Sequence, residues 1–424
     1  MLIELTSDAE CAPSMAPPHF KPRGSNQLGM RQYNERVVLQ AIRLHGSLPK
    51  ADLARLTHLS TQTVSLIVDR LHHDGLVVKL TPVRGKVGQP SVPVALNPDG
   101  AFSLGVKIGR RTCDILLLDF TCRVRHRATL RYDFPDPDTL FAHLATQLRA
   151  IPLQLGGDLA QRIVGVGIAA PLSLGGWQDL LGVSAARVAA WNTVDIAARV
   201  QAMTTLPVQL VKDTAAACVA ELVVGRGRST KSFVYVYIDT FIGGGLVIDS
   251  HLRPGLNGNA GAIASMPLHV AAPASADTVH TKGPQTPAQL LSVASLHQLE
   301  ATYSAAGLDS SACYDERATQ APWRTHTLAW VAQAAPAIAF AAQSAACLLD
   351  IDAVILDGSL SRDMLSLLTA ATQSALGTYA WEGVAQPVLL EGTVGVDARA
   401  MGGGLLPLYS QFAPDQALFL KLDA

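Results

Sequence analysis

Thr61, Gln62, Thr63 and Ser65 stand off an apolar stripe formed by Val64, Ile67, Val68 and Leu71. Hydroxyl and amide groups at the start of a helix can bond base edges or phosphates, and the amide of Gln62 matches the paired donor and acceptor of adenine. Ser60, just before them, is a good N-cap. Further on, PVRGKVGQP offers Arg84 and Lys86 to phosphates or a minor groove, while Gly88 and Gln89 let the loop run close to a backbone. Chemistry-bearing positions are sparser in the remainder. Asp213 heads the alanine-rich run DTAAAC, where a carboxylate is either a helix N-cap or a base and ligand for a hydroxyl. Thr240 with Gly243, Gly244 and Gly245 makes either a hairpin turn or a phosphate cradle. The six cysteines, at 11, 113, 122, 218, 313 and 347, show no metal-ligand spacing and read as small buried apolar residues.

Spacing also defines the elements that must hold these groups. Val37, Val38, Ala41, Ile42 and Leu44 repeat at helical spacing between Met30 and Leu44, and Gly46 ends the run. A short helix over 50–57 follows Pro49 and carries Ala51, Leu53, Ala54 and Leu56. His58, Leu59 and Ser60 turn the chain into a third helix that stops at Gly75. VVKL, the basic loop and VPVAL then read as strand, loop and strand. This predicts an α-rich winged helix-turn-helix over 26–97 whose third helix enters a DNA major groove. A helical hairpin used for protein contacts has the same pattern. Residues 1–25 are proline-rich without apolar periodicity and read as a flexible arm.

From Ala101 the texture becomes α/β, with strands AFSLGVKIG, CDILLLDF and VRHRATLRY, a helix near 137–150 and a buried strand IVGVGIAAP. A similar order recurs from SFVYVYIDTFIGGGLVID to AVILDG, without a residue-level repeat. Two lobes facing a cleft, roughly 98–225 and 226–424, are the expectation.

Charge divides along the same line. Residues 21–90 hold 11 Lys or Arg against 4 Asp or Glu, a net of +7, so the rest carries −8 of the overall −1. Only the small module is then suited to a polyanion such as DNA, although a solvated face looks alike. With 49% apolar and 16% charged residues the chain is globular rather than disordered. Glu4, Asp8 and Glu10 precede any basic residue, which is no signal peptide. The apolar stretch Val331 to Leu349, interrupted by Gln333, Pro336 and Gln343, reads as a buried helix. A cytoplasmic protein without a membrane span is expected.

NQLGMRQYNERVVL, ADLARLTHLSTQTVSLIVDRLHHDGLV, SLGVKIG, GVGIAAP, KDTAAACVAELVVGRG, IGGGLVIDSHLRPGLNGNAG and VGVDARAMGGGLLPL resemble, in order and spacing, the ROK family of repressors and sugar kinases. The resemblance implies an α/β actin-like (ribonuclease H-like) two-lobed domain over 98–424, with a sugar in the cleft. It also implies homodimers or tetramers and sugar-dependent operator binding. The fused head marks the repressor branch.

The same resemblance allows the kinase machinery to be checked residue by residue. Family kinases carry a first phosphate loop like DxGGTK, where this chain has Lys107, Ile108, Gly109, Arg110, Arg111 and Thr112. A cation in place of the carboxylate cannot hold Mg²⁺, and Arg110 obstructs backbone approach to phosphate. The second loop keeps Thr240, Gly243 and Gly244 but has Phe241 for glycine, and Asp357 replaces a glycine common on the adenosine side. Asp213 keeps the position of the base and sugar ligand, beside Lys212 in place of asparagine. In GNAGAIASMPL, Asn259 and Ser265 remain as polar candidates, yet Ala262 replaces a sugar-binding glutamate and Ser265 a histidine. Leu291 falls about where another such glutamate is expected, and the zinc motif is missing, so no metal or cofactor is expected and His269 and His280 read as loop residues. Trp191 and Asn192 fit the segment near the sugar pocket, with a packed core tryptophan as the other reading.

The expectation is therefore a DNA-binding regulator, a repressor, that responds to a carbohydrate-like or other small metabolite and is not an enzyme. Trp191, Asn192, Lys212, Asp213, Asn259 and Ser265 are its effector candidates, and an operator duplex and a second copy its partners. An ATP-dependent sugar kinase with a DNA-binding head, or an effector-independent dimeric DNA-binding protein, are the alternatives.

Overall fold

Val38, Leu39 and Ile42 of helix α1 (Gln27–His45), Leu53 and Ala54 of α2 (Lys50–Thr57) and Val64, Ile67, Val68 and Leu71 of α3 (Thr61–His73) close one small core. The computed structural model describes residues 27–82, 91–171, 183–271 and 287–414. His58 takes a left-handed turn (φ 54°) between α2 and α3. Strand β1 (Ser47–Pro49) pairs with β3 (Pro93–Leu96), and β3 pairs on its other side with β2 (Val77–Lys79), all antiparallel. The head is thus three helices and a three-stranded sheet. The expected arm over 1–25 and the loop residues Arg84, Lys86, Gly88 and Gln89 lie outside the described residues.

The body holds two five-stranded sheets of one design. In the first, β4 (Phe102–Ile108), β5 (Thr112–Asp119) and β6 (Val124–Arg131) form an antiparallel meander, and after helix α4 (Pro137–Leu155) strands β7 (Ile163–Ala170) and β8 (Val208–Lys212) add in parallel beyond β4, giving the order β6-β5-β4-β7-β8. In the second, β9 (Phe233–Ile238), β10 (Gly243–Ile248) and β11 (His251–Leu252) meander, and β14 (Ala353–Gly358) and β15 (Val388–Glu391) follow in parallel, giving β11-β10-β9-β14-β15. The repeat inferred from element order is this shared topology. A separate two-stranded ribbon pairs β12 (Pro267–Ala271) with β13 (Pro287–Gln289). The fully buried strand β9 reads as a continuous apolar run because both faces are covered, whereas β4 buries Ser103 and Lys107 among its apolar residues.

The division of lobes does not follow the chain as expected. Helix α9 (Ala398–Phe412) leaves the second lobe and lies on the first sheet, beside helix α5 (Asp213–Val224). Glycines permit this approach: a Cβ on Gly105 of β4 would fall 2.0 Å from the Ala400 carbonyl oxygen, and one on Gly402 would fall 1.8 Å from that of Ala216. Leu116 and Leu118 of the first sheet and Phe233, Tyr235 and Tyr237 of the second bury their side chains in one cluster with Ala217, Ala398 and Leu405 of these helices. The glycines at 243–245 also differ from expectation. They open strand β10 instead of forming a turn, and a Cβ on Gly245 would meet Cys218 Cβ at 2.6 Å. Their small size lets α5 pack on the sheet.

Helix α7 (Arg324–Leu349) is long and apolar enough to cross a membrane by composition. In the fold Ala334, Ala335, Ile338, Ala339 and Ala342 bury in the core of the second lobe, as the sequence reading anticipates. Helices α6 (Leu296–Ala305) and α8 (Arg362–Leu376) flank it.

Candidate functional site

The first site is the start of α3. Ser60 Oγ accepts the Thr63 N–H at 3.1 Å and shares a 2.8 Å hydrogen bond with Thr63 Oγ1, which commits both side chains to the cap. Lys50 Nζ donates to Ser65 Oγ at 2.9 Å and to Asp69 Oδ1 at 3.1 Å, so Ser65 is held against α2 rather than offered outward. Thr61 and Gln62 are exposed. Leu66, four residues after Gln62 and so on the same helix face, is 63% exposed. The sequence reading missed it, and its signal was a leucine off the apolar stripe.

The second site lies between the lobes, where the kinase machinery was expected to be damaged. Lys107 at the end of β4 is 5% exposed, and its Nζ reaches Asp114 Oδ2 at 3.1 Å and Thr112 Oγ1 at 2.6 Å. Asp114 also accepts from Thr112 Oγ1 at 2.9 Å and Thr129 Oγ1 at 2.7 Å. Burial, together with the charge of Arg399, lowers the pKa of the Lys107 ammonium, while Asp239 and Asp114 support its charge. Arg399 of α9 pairs with Asp239, stands 3.6 Å from Asp213 Oδ2, and lies 5.0 Å over the Tyr237 ring. Burial alone would raise the Asp239 pKa, but Arg399 and Lys107 hold it below the ordinary carboxylate value. Asp213 Oδ1 also accepts the Thr214 N–H at 2.8 Å, but Asp213 is the first residue of α5 and Lys212 precedes it as the N-cap without a side-chain cap bond, so the N-cap reading is not realised.

Across the cleft mouth, Arg110 lays its guanidinium 4.7 Å over the Phe241 ring, and His297 packs on that ring edge-on at 5.2 Å. Arg111 donates to Glu300 Oε2 of α6 at 3.0 Å and to the Asp133 carbonyl at 2.6 Å. Glu300 Oε1 accepts from Tyr314 OH at 2.6 Å, and Tyr314 OH shares a 2.9 Å hydrogen bond with Thr240 Oγ1. The arginine pair, with Arg110 in place of the second phosphate-loop glycine and Arg111 after it, therefore ties the β4–β5 hairpin of one lobe to the other. Asp357 is fully buried, accepts the Gly395 N–H at 2.8 Å and the Tyr235 hydroxyl at 3.1 Å, and faces Arg362 at 3.4 Å. Its carboxyl braces the turn that carries Gly395.

Phosphoryl transfer needs donors for the phosphates, a carboxylate for the metal and a base free to take a proton. Here three cations, Lys107, Arg110 and Arg399, and three carboxylates, Asp114, Asp213 and Asp239, share the space. Each is engaged by protein neighbours. Among the described residues no three His, Cys, Asp or Glu side chains are grouped to hold a metal ion.

The expected effector set is only partly brought together. Trp191 is 7% exposed, packs 6.1 Å from Phe141 in the first-lobe core, and donates Nε1–H to the Pro135 carbonyl at 2.9 Å. This corrects the stacking role, because apolar burial and a satisfied indole N–H leave no face for a sugar. Lys212 ends β8, half-buried beside Asp213, whereas Asn192, Asn259 and Ser265 are exposed. Leu291 is buried, and the side chains of His269 and His280 lie outside the described residues.

Two sheets of identical 3-2-1-4-5 order, meeting through α5 and α9, define the actin-like two-lobed class. The chain belongs to the ROK family, which it matches over residues 103–406. It is 22% identical to the xylose repressor of Bacillus subtilis over 251 residues, which is 58% of this chain and 62% of that repressor. Its fold is similar to that of a ROK family transcriptional regulator described as a homologue of the E. coli Mlc protein, with a TM-score of 0.62, 19% identity, and coverage of 91% of this chain and 98% of that one. Its fold is also similar to that of a ROK family glucokinase from Streptomyces griseus, solved with glucose and AMPPNP, with a TM-score of 0.56, 17% identity, and coverage of 72% of this chain and 99% of that one.

Proposed function

We propose that this chain is a DNA-binding transcriptional regulator, a repressor, whose head reads an operator and whose body has given up phosphoryl transfer. The observation that carries the proposal is the capped α3 with Thr61, Gln62 and Leu66 turned outward on a head joined to a ROK body. Amide, hydroxyl and aliphatic groups so spaced suit an adenine edge, a phosphate and a thymine methyl. The basic loop with Arg84, Lys86 and Gln89 adds phosphate contacts. A homodimer or tetramer presents two such helices to half-sites about 34 Å apart. The protein works in the cytoplasm.

The body is a sensor of a small metabolite, in keeping with relatives named as xylose repressors. Its recognition groups differ from those of a simple sugar site. Asp213 and Lys212 stand at the cleft, but the ion pairs of Asp213 and Asp239 with Arg399 must be displaced or shared by whatever enters. A ligand that rearranges Arg111–Glu300 changes the lobe angle, and with it the spacing of two heads. Release of a labelled operator from the full chain, assayed with pentoses, hexoses and their derivatives, tests sensing. Release by at least one compound, with no ADP formed from ATP, is expected. Sugar-dependent ADP formation abolished by Asp213→Asn establishes the kinase alternative instead.

A further inference from the structure

The joint between head and body encloses a cavity of about 290 Å³. Three arginines line it: Arg43 from the last turn of α1, Arg123 from the β5–β6 turn, and Arg228 from the segment after α5. Its floor is apolar, with Leu222 and Met401. Arg43 donates to the Phe120 carbonyl at 2.9 Å and to Cys122 Sγ at 3.1 Å, and lies over the rings of Phe120 and Tyr409. Arg228 donates to the Leu44 carbonyl of α1 at 2.7 Å. The neighbouring carboxylate, Asp119, accepts the N–H groups of Thr121 and Arg123 and the Thr121 hydroxyl, and its other oxygen faces Arg125 at 3.5 Å. Among the described residues no carboxylate forms an ion pair with Arg43, Arg123 or Arg228.

Three like charges gathered at a partly buried joint repel unless an anion joins them. Two of them, Arg123 and Arg228, come from the part of the chain outside 21–90, whose charges sum to −8. We propose that this cavity is a binding site for a small phosphate-bearing metabolite, separate from the interlobe cleft. Guanidinium forks bind phosphate oxygens in pairs, and three of them around one cavity suit a group with several such oxygens. The volume admits a phosphate and a small body, not a duplex. Arg43 and the Leu44 carbonyl belong to α1, while Phe120 of the body buries in the head's own core and meets Phe412 at 4.8 Å. A bound anion therefore sits where the head is fixed to the body.

Inorganic pyrophosphate is the probe, titrated into the full chain by calorimetry at constant ionic strength, with glucose as the neutral control. The expected result is saturable heat and a raised Tm with pyrophosphate, absent with glucose. Arg123→Gln removes an exposed side chain that makes no hydrogen bond or ion pair among the described residues, and Arg228→Gln removes a second fork. Each weakens pyrophosphate binding about tenfold or more, as expected for lost charge-assisted bonds. The absence of saturable heat in the wild-type chain overturns the proposal, as does undiminished affinity in Arg123→Gln. Neither outcome bears on operator reading or on the cleft.

Discussion

Arg399→Met is the sharpest perturbation of the cleft. The guanidinium is 5% exposed, is paired with Asp239 and Asp213, and donates to Ser359 Oγ at 3.4 Å. Methionine fills similar volume but leaves two carboxylates, each 8% exposed, without their shared cation. Breaking a buried ion pair from one side costs about 3–5 kcal/mol, because the remaining charge stays desolvated. Lys107 is close enough to support the Asp239 charge, which places the expected loss near the lower end, at about 3 kcal/mol. The assay is urea unfolding of the body at pH 7.5. Asp239→Leu added to Arg399→Met removes the stranded carboxylate, so the double variant is predicted to be more stable than the single one by about 1–2 kcal/mol. An Arg399→Met variant within about 0.5 kcal/mol of wild type refutes the reasoning, because it places the cleft charges in solvent rather than in a buried network.

Three further outcomes follow from the same geometry. Burial, aided by Arg111, holds His297 at a pKa of about 4 against an ordinary 6.5, so the unfolded chain binds a proton in this window that the native chain does not. Stability from the neutral ring is present above pH 6.5 and falls as pH drops to 4, by 6.5 − 4 = 2.5 pH units or about 3 kcal/mol in full. Urea midpoints of wild type and His297→Phe at pH 7.5 and 4.5 check this, and an equal pH slope in both contradicts it. Trp191→Phe strands the Pro135 carbonyl and costs about 1–3 kcal/mol by thermal melting, while leaving the affinity of any cleft ligand unchanged. Ser60→Ala removes the α3 cap and costs the head about 1 kcal/mol, measured by amide exchange along α3.

The head was legible in the sequence because its signals are local. The stripe of Val64, Ile67, Val68 and Leu71, the Ser60 cap and the turn at His58 each act within a few residues, and α2 falls on the expected 50–57. The two sheets were legible for the related reason that buried strands read as apolar runs. The cleft was legible only as loss. Lys107 and Arg110 stood out as wrong for a kinase, but Asp239 and Arg399, which engage them, lie on other elements and look unremarkable in IDT and DARAM. Arg111 and Glu300 meet for the same long-range reason. Trp191 went to the core because sequence spacing does not distinguish a tryptophan beside a pocket from one beneath it. The lobe boundary was misplaced because α9 returns to the first sheet, a crossover marked in the sequence only by the glycine run 402–404.

The central claim is that α3 reads a specific operator, and selection from randomised duplex DNA with the full chain tests it most directly. The account predicts a near-palindromic motif with half-sites about 34 Å apart. It also predicts that Gln62→Ala relaxes one position of that motif at a cost of about 1–3 kcal/mol in affinity. A selection that enriches no motif contradicts it.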